Sequence, residues 1–175
     1  MMRSLARWFG VRSRQSNSTF AFDEVVRLDA RTAALFERSF GAPPPDFPRH
    51  FVVRTLRGPE PGVCGYIHYT LFEPGVYLLG GLCVDTRVYR RLASDIRGEI
   101  AKHGSLSRWL LAQSIQGLGD KCAIFAFTGN SVSRRDCEAL GFVAASGPHL
   151  IVQWHAEPPD ARAALVQRVE ALGPF

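Results

Sequence analysis

Lysine is almost missing from this chain: Lys102 and Lys121 are the only two among 21 basic residues, so the formal charge of +5 rests on arginine. The arginines, among them Arg31, Arg54, Arg90, Arg97, Arg134 and Arg162, are scattered and form no basic run. A scattered charge builds no concentrated positive face, so no nucleic-acid partner is expected, while anionic small molecules stay open as partners. Cysteine is scarce as well. The four, at 64, 83, 122 and 137, include no C-x-x-C pair and no metal-ligand spacing, which excludes a zinc ribbon or a disulfide framework and reads as reduced, mostly buried thiols of a cytoplasmic protein. No apolar run approaches the roughly 20 residues of a membrane span. Met1 to Arg14 lacks both the apolar stretch and the small-residue cleavage site of a signal peptide. Its Leu5, Trp8 and Phe9 would share one side of a short basic helix, but a terminal tail is the plainer reading.

What is present suits one domain: 175 residues, 46% of them hydrophobic, are enough for a single substantial core. The division read from the chain is a basic tail over 1–18, a domain over 19–155 and a C-terminal helix over 156–175. Phe20 to Leu28 reads as a strand. Asp29 to Phe40 reads as a helix capped by Asp29, with Ala33, Leu35, Phe36 and Phe40 inward. The prolines between Gly41 and Pro48 end it. Phe51–Leu56, Val63–Phe72 and Val76–Val84 follow as strands, joined by Gly/Pro turns that suit antiparallel hairpins. Val88, Leu92, Ile96 and Ile100 then recur every fourth residue over Thr86 to Lys102, a helical period. His103-Gly104 interrupts before a second helix over Ser105 to Leu118, and Cys122 to Phe127 is again a strand. Strand, helix and strand in that order predict a right-handed parallel crossover. A short helix over Asp136 to Leu140, a hairpin of Phe142–Ala145 with His149–Trp154, and a helix over Pro158 to Leu172 with Ala161, Leu165, Val169 and Leu172 inward complete the reading.

This order of elements, with Gly65-Tyr-Ile-His in the third strand, Gly104 before the long helix, and Asn130, Glu138 and Gly141-Phe142 at their spacing, resembles the GNAT acyltransferase superfamily over roughly residues 20 to 155. The resemblance implies an α/β (α+β) fold. Its sheet would be mixed, mostly antiparallel, with a parallel pair at the fourth and fifth strands, splayed there and flanked by helices. It also implies an acyl-coenzyme A donor, acetyl-CoA above all, whose diphosphate would rest on backbone N–H groups at the start of the long helix, where the helix dipole favours an anion. In this chain that place is Lys102, His103, Gly104, Ser105, Leu106 and Ser107, and the resemblance adds Asn130 and Ser133 as further cofactor-binding residues. Ala101 and Leu106 stand where the family loop carries a polar residue and a glycine. The backbone around Cys83 and Val84 would supply an amide donor to the thioester oxygen.

Where family members carry a tyrosine that protonates the departing thiolate, seven residues after the asparagine, this chain has Cys137. Acidity alone does not exclude it, but its reach is short unless Ser133 or a bridging water helps. Asp85, Glu73 and His68 are the candidate bases for an attacking amine, while Asp85 reads equally as a helix cap and His68 as a half-buried strand residue. The resemblance thus implies an N-acyltransferase, most simply an N-acetyltransferase, acting on a small-molecule or peptide amine. A GNAT-like domain that binds an acyl thioester or a protein without catalysis is the alternative, favoured by Leu106 and Cys137. An acyl carrier protein as donor would suit Arg90, Arg91 and Arg97, and a homodimer would use the C-terminal helix.

Overall fold

A computed structural model describes residues 20–46, 49–56, 62–156 and 159–175, with the side chains of 159 and 160 left aside. The N-terminal tail and residues 57–61, where a turn is expected from the sequence, fall outside the described residues. Thirteen elements follow in order: β1 (Phe20–Val25), α1 (Ala30–Phe40), β2 (Arg49–Thr55), β3 (Val63–Glu73), β4 (Val76–Val84), α2 (Thr86–Arg91), α3 (Ser94–Ala101), α4 (Leu106–Gly117), β5 (Ala123–Phe127), α5 (Ser131–Glu138), β6 (Val143–Ser146), β7 (Leu150–Trp154) and α6 (Pro159–Glu170). The seven strands form one sheet in the order β1-β2-β3-β4-β5-β7-β6. Every pairing is antiparallel except β4–β5, which is parallel. The expected mixed sheet is therefore present, and the α2–α3–α4 crossover supplies the parallel pair.

Alternation along the strands sends apolar residues to both faces. Ile67, Tyr69, Leu79 and Ile124 pack under α4 through Leu110, Leu111 and Ile115. On the other side, Leu35 and Phe36 of α1 cover Val52, Tyr66 and Cys83, while Leu165 and Val169 of α6 cover Val76, Leu78, Phe125 and Val152. The C-terminal helix thus closes the core of its own chain. Leu172, expected inward, is half exposed, as is Phe40 at the end of α1. Phe40 instead lays its ring against Phe36, with centroids 4.6 Å apart.

The first strand ends at Val25, three residues short of the sequence reading, and two helices depart further. The helix over Thr86 to Lys102 is two helices, because Leu92 adopts an extended conformation (φ −64°, ψ 144°) that breaks the hydrogen-bond ladder. The short helix expected from Asp136 begins at Ser131, where the Asn130 side chain accepts the Ser133 N–H and satisfies one of the first-turn donors.

Two irregularities position the site. The β4–β5 ladder runs only from Val76↔Ala123 to Leu79↔Ala126, although β4 continues to Val84, so the two strands part beyond Leu79. At that point β4 also carries an extra residue: Ile67 pairs with Leu82 and Tyr69 with Leu79, leaving Gly80 and Gly81 opposite His68. This is a β-bulge, built with glycines where another group must come close.

Candidate functional site

Where β4 and β5 separate, a cleft of about 180 Å³ opens. Leu79, Gly80 and Leu82 form one wall and Ala126, Phe127, Thr128 and Gly129 the other. Ser107 and Leu111 of α4, Asn130 and Ser133 at the head of α5, and Asp136 and Cys137 in its last turn close it from one face of the sheet, and Phe40 reaches it from α1.

Both flanking helices begin at this cleft, and their caps are well made. Ser105 caps α4 by accepting the Arg108 N–H at 3.0 Å. At α5, Asn130 Oδ1 accepts the Ser133 N–H at 2.8 Å and Asn130 Nδ2 donates to Ser133 Oγ at 3.0 Å. Against the head of α4, from the last turn of α5, lies Asp136, 4% exposed. Its Oδ2 accepts from Ser105 Oγ at 2.9 Å and from Ser107 Oγ at 2.5 Å. Its Oδ1 accepts from Arg108 Nε at 3.2 Å and Nη2 at 3.1 Å. Burial works against ionisation of this carboxyl, but the hydrogen bonds from Ser107, Ser105 and Arg108 and the arginine charge outweigh it and hold the group below its usual range. Gly104, with φ +87°, lies beneath the Arg108 guanidinium: a Cβ there would sit 2.6 Å from Nη1.

The opposite side of the bulge holds His68. A Cβ at Gly80 would lie 2.1 Å from His68 Nε2, so the imidazole occupies the space that a side chain at 80 would fill. Its ring is surrounded by Phe36, Tyr66 and His50, with centroids 5.7, 5.7 and 6.4 Å away. Among the described residues, Nδ1 of His68 has no hydrogen-bond partner. Burial, and then the neighbouring His50, push its pKa down to about 4. His50 Nδ1 in turn lies 2.8 Å from the Tyr66 hydroxyl and borders a second hollow of about 680 Å³ beside Val26, Leu28, Pro43 and Asp46.

The residues expected from sequence divide accordingly. Ser107, Asn130, Ser133 and Cys137 meet at the cleft. Burial, with Asp136 and Glu138 adding to it, raises the Cys137 thiol to about 12. Ser105 and Gly104 lie at the head of α4, and the Leu106 side chain turns into the core. Lys102 instead bonds Glu99 at 2.6 Å, and His103 is exposed beside Trp109. Cys83 and Val84 do not border the cleft: they pair with Tyr66 and Gly65 of β3 beyond the point of separation, and Leu79, Gly80 and Leu82 take that place. Asp85 caps α2 through the Arg87 and Val88 N–H groups and bonds Arg38 at 3.1 Å. Glu73 bonds Arg168 of α6 at 2.8 and 3.0 Å. Neither carboxylate reaches the cleft.

Asp136 and Arg108 escaped the sequence reading because their partnership joins positions 28 residues apart. The Gly80-Gly81 pair inside a strand run was the one legible sign of the bulge.

No family model and no curated protein matches the chain. Solved structures do. A candidate N-acetyltransferase from Lactobacillus plantarum superposes with a TM-score of 0.53 at 16% identity, over 78% of this chain and 98% of that one. The N-acetyltransferase PseH of Campylobacter jejuni superposes with a TM-score of 0.51 at 10% identity, over 79% of this chain and 99% of its own. With the parallel β4–β5 pair that parts after Leu79 and the helices that begin at the opening, the fold of this chain is that of the GNAT acyltransferase superfamily.

Proposed function

We propose that the chain is an N-acyltransferase that moves an acyl group from a coenzyme A thioester, acetyl-CoA or a longer acyl-CoA, to the primary amine of a small molecule or peptide. The observation that carries this reading is the cleft between β4 and β5, flanked by the heads of α4 and α5 and floored by a glycine bulge. In the reaction the amine nitrogen attacks the thioester carbonyl carbon. A C–N bond forms, the carbonyl oxygen takes up negative charge, the C–S bond breaks, and the amine loses a proton. Holding the two reactants together supplies much of the rate, and backbone N–H groups at the Gly80–Gly81 bulge are the donors best placed for the developing oxyanion.

For the proton, His68 is a better candidate than Asp85 or Glu73, which are committed to Arg38 and Arg168. It is neutral at pH 7 and, though it does not itself line the cleft, its ring lies directly against Gly80, which does. Cys137, as a thiol raised to about 12, is a weaker acid than the thiol it would have to protonate, so its role is to donate an S–H hydrogen bond to the departing sulfur and solvent supplies the proton. That same weakness favours the second reading, a thioester-binding domain without catalysis.

The test is calorimetric titration with acetyl-CoA and longer acyl-CoAs, followed by thiol-release assays over a panel of amines. Thioester binding together with amine-dependent thiol release supports the acyltransferase. Binding with no thiol release from any amine supports the binding domain, and the absence of binding to every thioester overturns both.

A further inference from the structure

A helix N-terminus preceded by glycine is a ready anion site, because its first N–H groups and its dipole both favour negative charge. At α4 that place already has an anion of the chain's own. The Asp136 carboxylate takes the hydroxyls of Ser105 and Ser107 and two nitrogens of Arg108. The same guanidinium lies over Gly104, covering the approach that a residue without a side chain would otherwise leave to a phosphate. The carboxylate is buried, multiply bonded and ionised, so it is a fixed charge that does not swing away. A second anion brought beside it would meet like charge, with both serine hydroxyls and the Nε and Nη2 of Arg108 already engaged.

We infer that the chain selects its donor by the thioester-bearing pantetheine arm and not by the nucleotide diphosphate, with Asp136 as the residue that closes the head of α4 to the diphosphate. The inference rests on the acyl-transfer reading and narrows it. The cleft accepts the arm between Gly80–Leu82 and Phe127–Asn130, and the remainder of the donor stays outside. The arm is common to coenzyme A, to free pantetheine and to a carrier protein, so a donor bound in this way is recognised whichever group it hangs from.

Three ligands separate these cases in titrations of the full chain: acetyl-CoA, S-acetylpantetheine, and adenosine 3′,5′-bisphosphate as a nucleotide end without an arm. The expected result is that the two thioesters bind within about threefold of each other and the bisphosphate does not compete. In the isosteric variant Asp136→Asn, loss of the charge is expected to shift the ratio of the two affinities about tenfold toward acetyl-CoA. A shift in that ratio is not what a merely damaged fold would produce. Acetyl-CoA binding thirtyfold or more tighter than S-acetylpantetheine in the unaltered chain, or competition by the bisphosphate, would overturn the inference while leaving acyl transfer standing. Failure of both thioesters to bind would remove the acyl-transfer reading itself, and this inference with it. Transfer from an acetyl-loaded carrier protein, compared with transfer from acetyl-CoA, identifies the group on which the arm is presented.

Discussion

At the scale of single residues, the neutral, buried His68 makes a specific statement about acid. Its folded pKa of about 4 lies below the ordinary 6.5, so between those values the unfolded chain binds a proton that the folded chain does not. Stability therefore falls as pH drops through that window and the loss levels off below about pH 4. A shift of this size corresponds to about 3 kcal/mol. Urea midpoints measured from pH 7 to pH 4 should show this slope in the unaltered chain and a shallower one in His68→Gln. A similar slope in both proteins would mean that His68 is not the group responsible. The cysteines make a second statement. Burial lifts Cys64 and Cys137 to about 12 and Cys83 to about 11, leaving almost no thiolate at pH 8, whereas Cys122 is only half buried. Timed labelling with a thiol reagent is expected to modify Cys122 first and the other three only on unfolding. Rapid native labelling of Cys137 would instead indicate an open, reactive thiol in the cleft.

At the scale of elements, the sequence was legible where one period or one cap decided the outcome. The strands β2 to β5, the helices α1 and α4 and the terminal helix each announce themselves by an apolar stripe or alternation, and Asp29 caps α1 as its position suggests. The stripe Val88, Leu92, Ile96 and Ile100 misled because its spacing passes unbroken through the extended Leu92, with no proline or glycine to mark the gap. The start of α5 was hidden because Ser131 to Asp136 carries one apolar residue, the exposed Val132, and offers only the Asn130 cap as a signal. The cleft residues divide the same way: Asn130, Ser133 and Cys137 lie on one local motif, whereas Asp136 meets Ser105 and Arg108 only through tertiary packing. The caps allow a prediction. Asn130→Ala removes the acceptor for the Ser133 N–H and should cost about 1 kcal/mol, read as a lowered urea midpoint. Leu165→Ala in α6, whose side chain is buried against Phe125 and Val152, should cost about 2–5 kcal/mol. A cost under 0.5 kcal/mol at Leu165 would mean that α6 is not seated on the sheet.

At the scale of the whole molecule, the sheet has two parts that meet along one seam. β1 to β4 form an antiparallel unit, β5, β7 and β6 another, and four parallel pairs from Val76↔Ala123 to Leu79↔Ala126 join them. Among the described residues no helix is long and apolar enough to cross a membrane. The chain passes from one part to the other through the short turn between α4 and β5, where Gly119 and Asp120 are exposed. α4 leans back on the first part through the Tyr69–Ser114 hydrogen bond of 2.8 Å, while α6 straddles the seam by covering Val76 and Leu78 on one side and Phe125 on the other. The union of the two parts thus depends on shared surface more than on the peptide link at 119–120. It follows that the chain is suited to be supplied in two pieces: segments ending at Gly119 and beginning at Asp120, expressed together, should find each other, copurify and rebuild the cleft, each being the template on which the other completes its sheet.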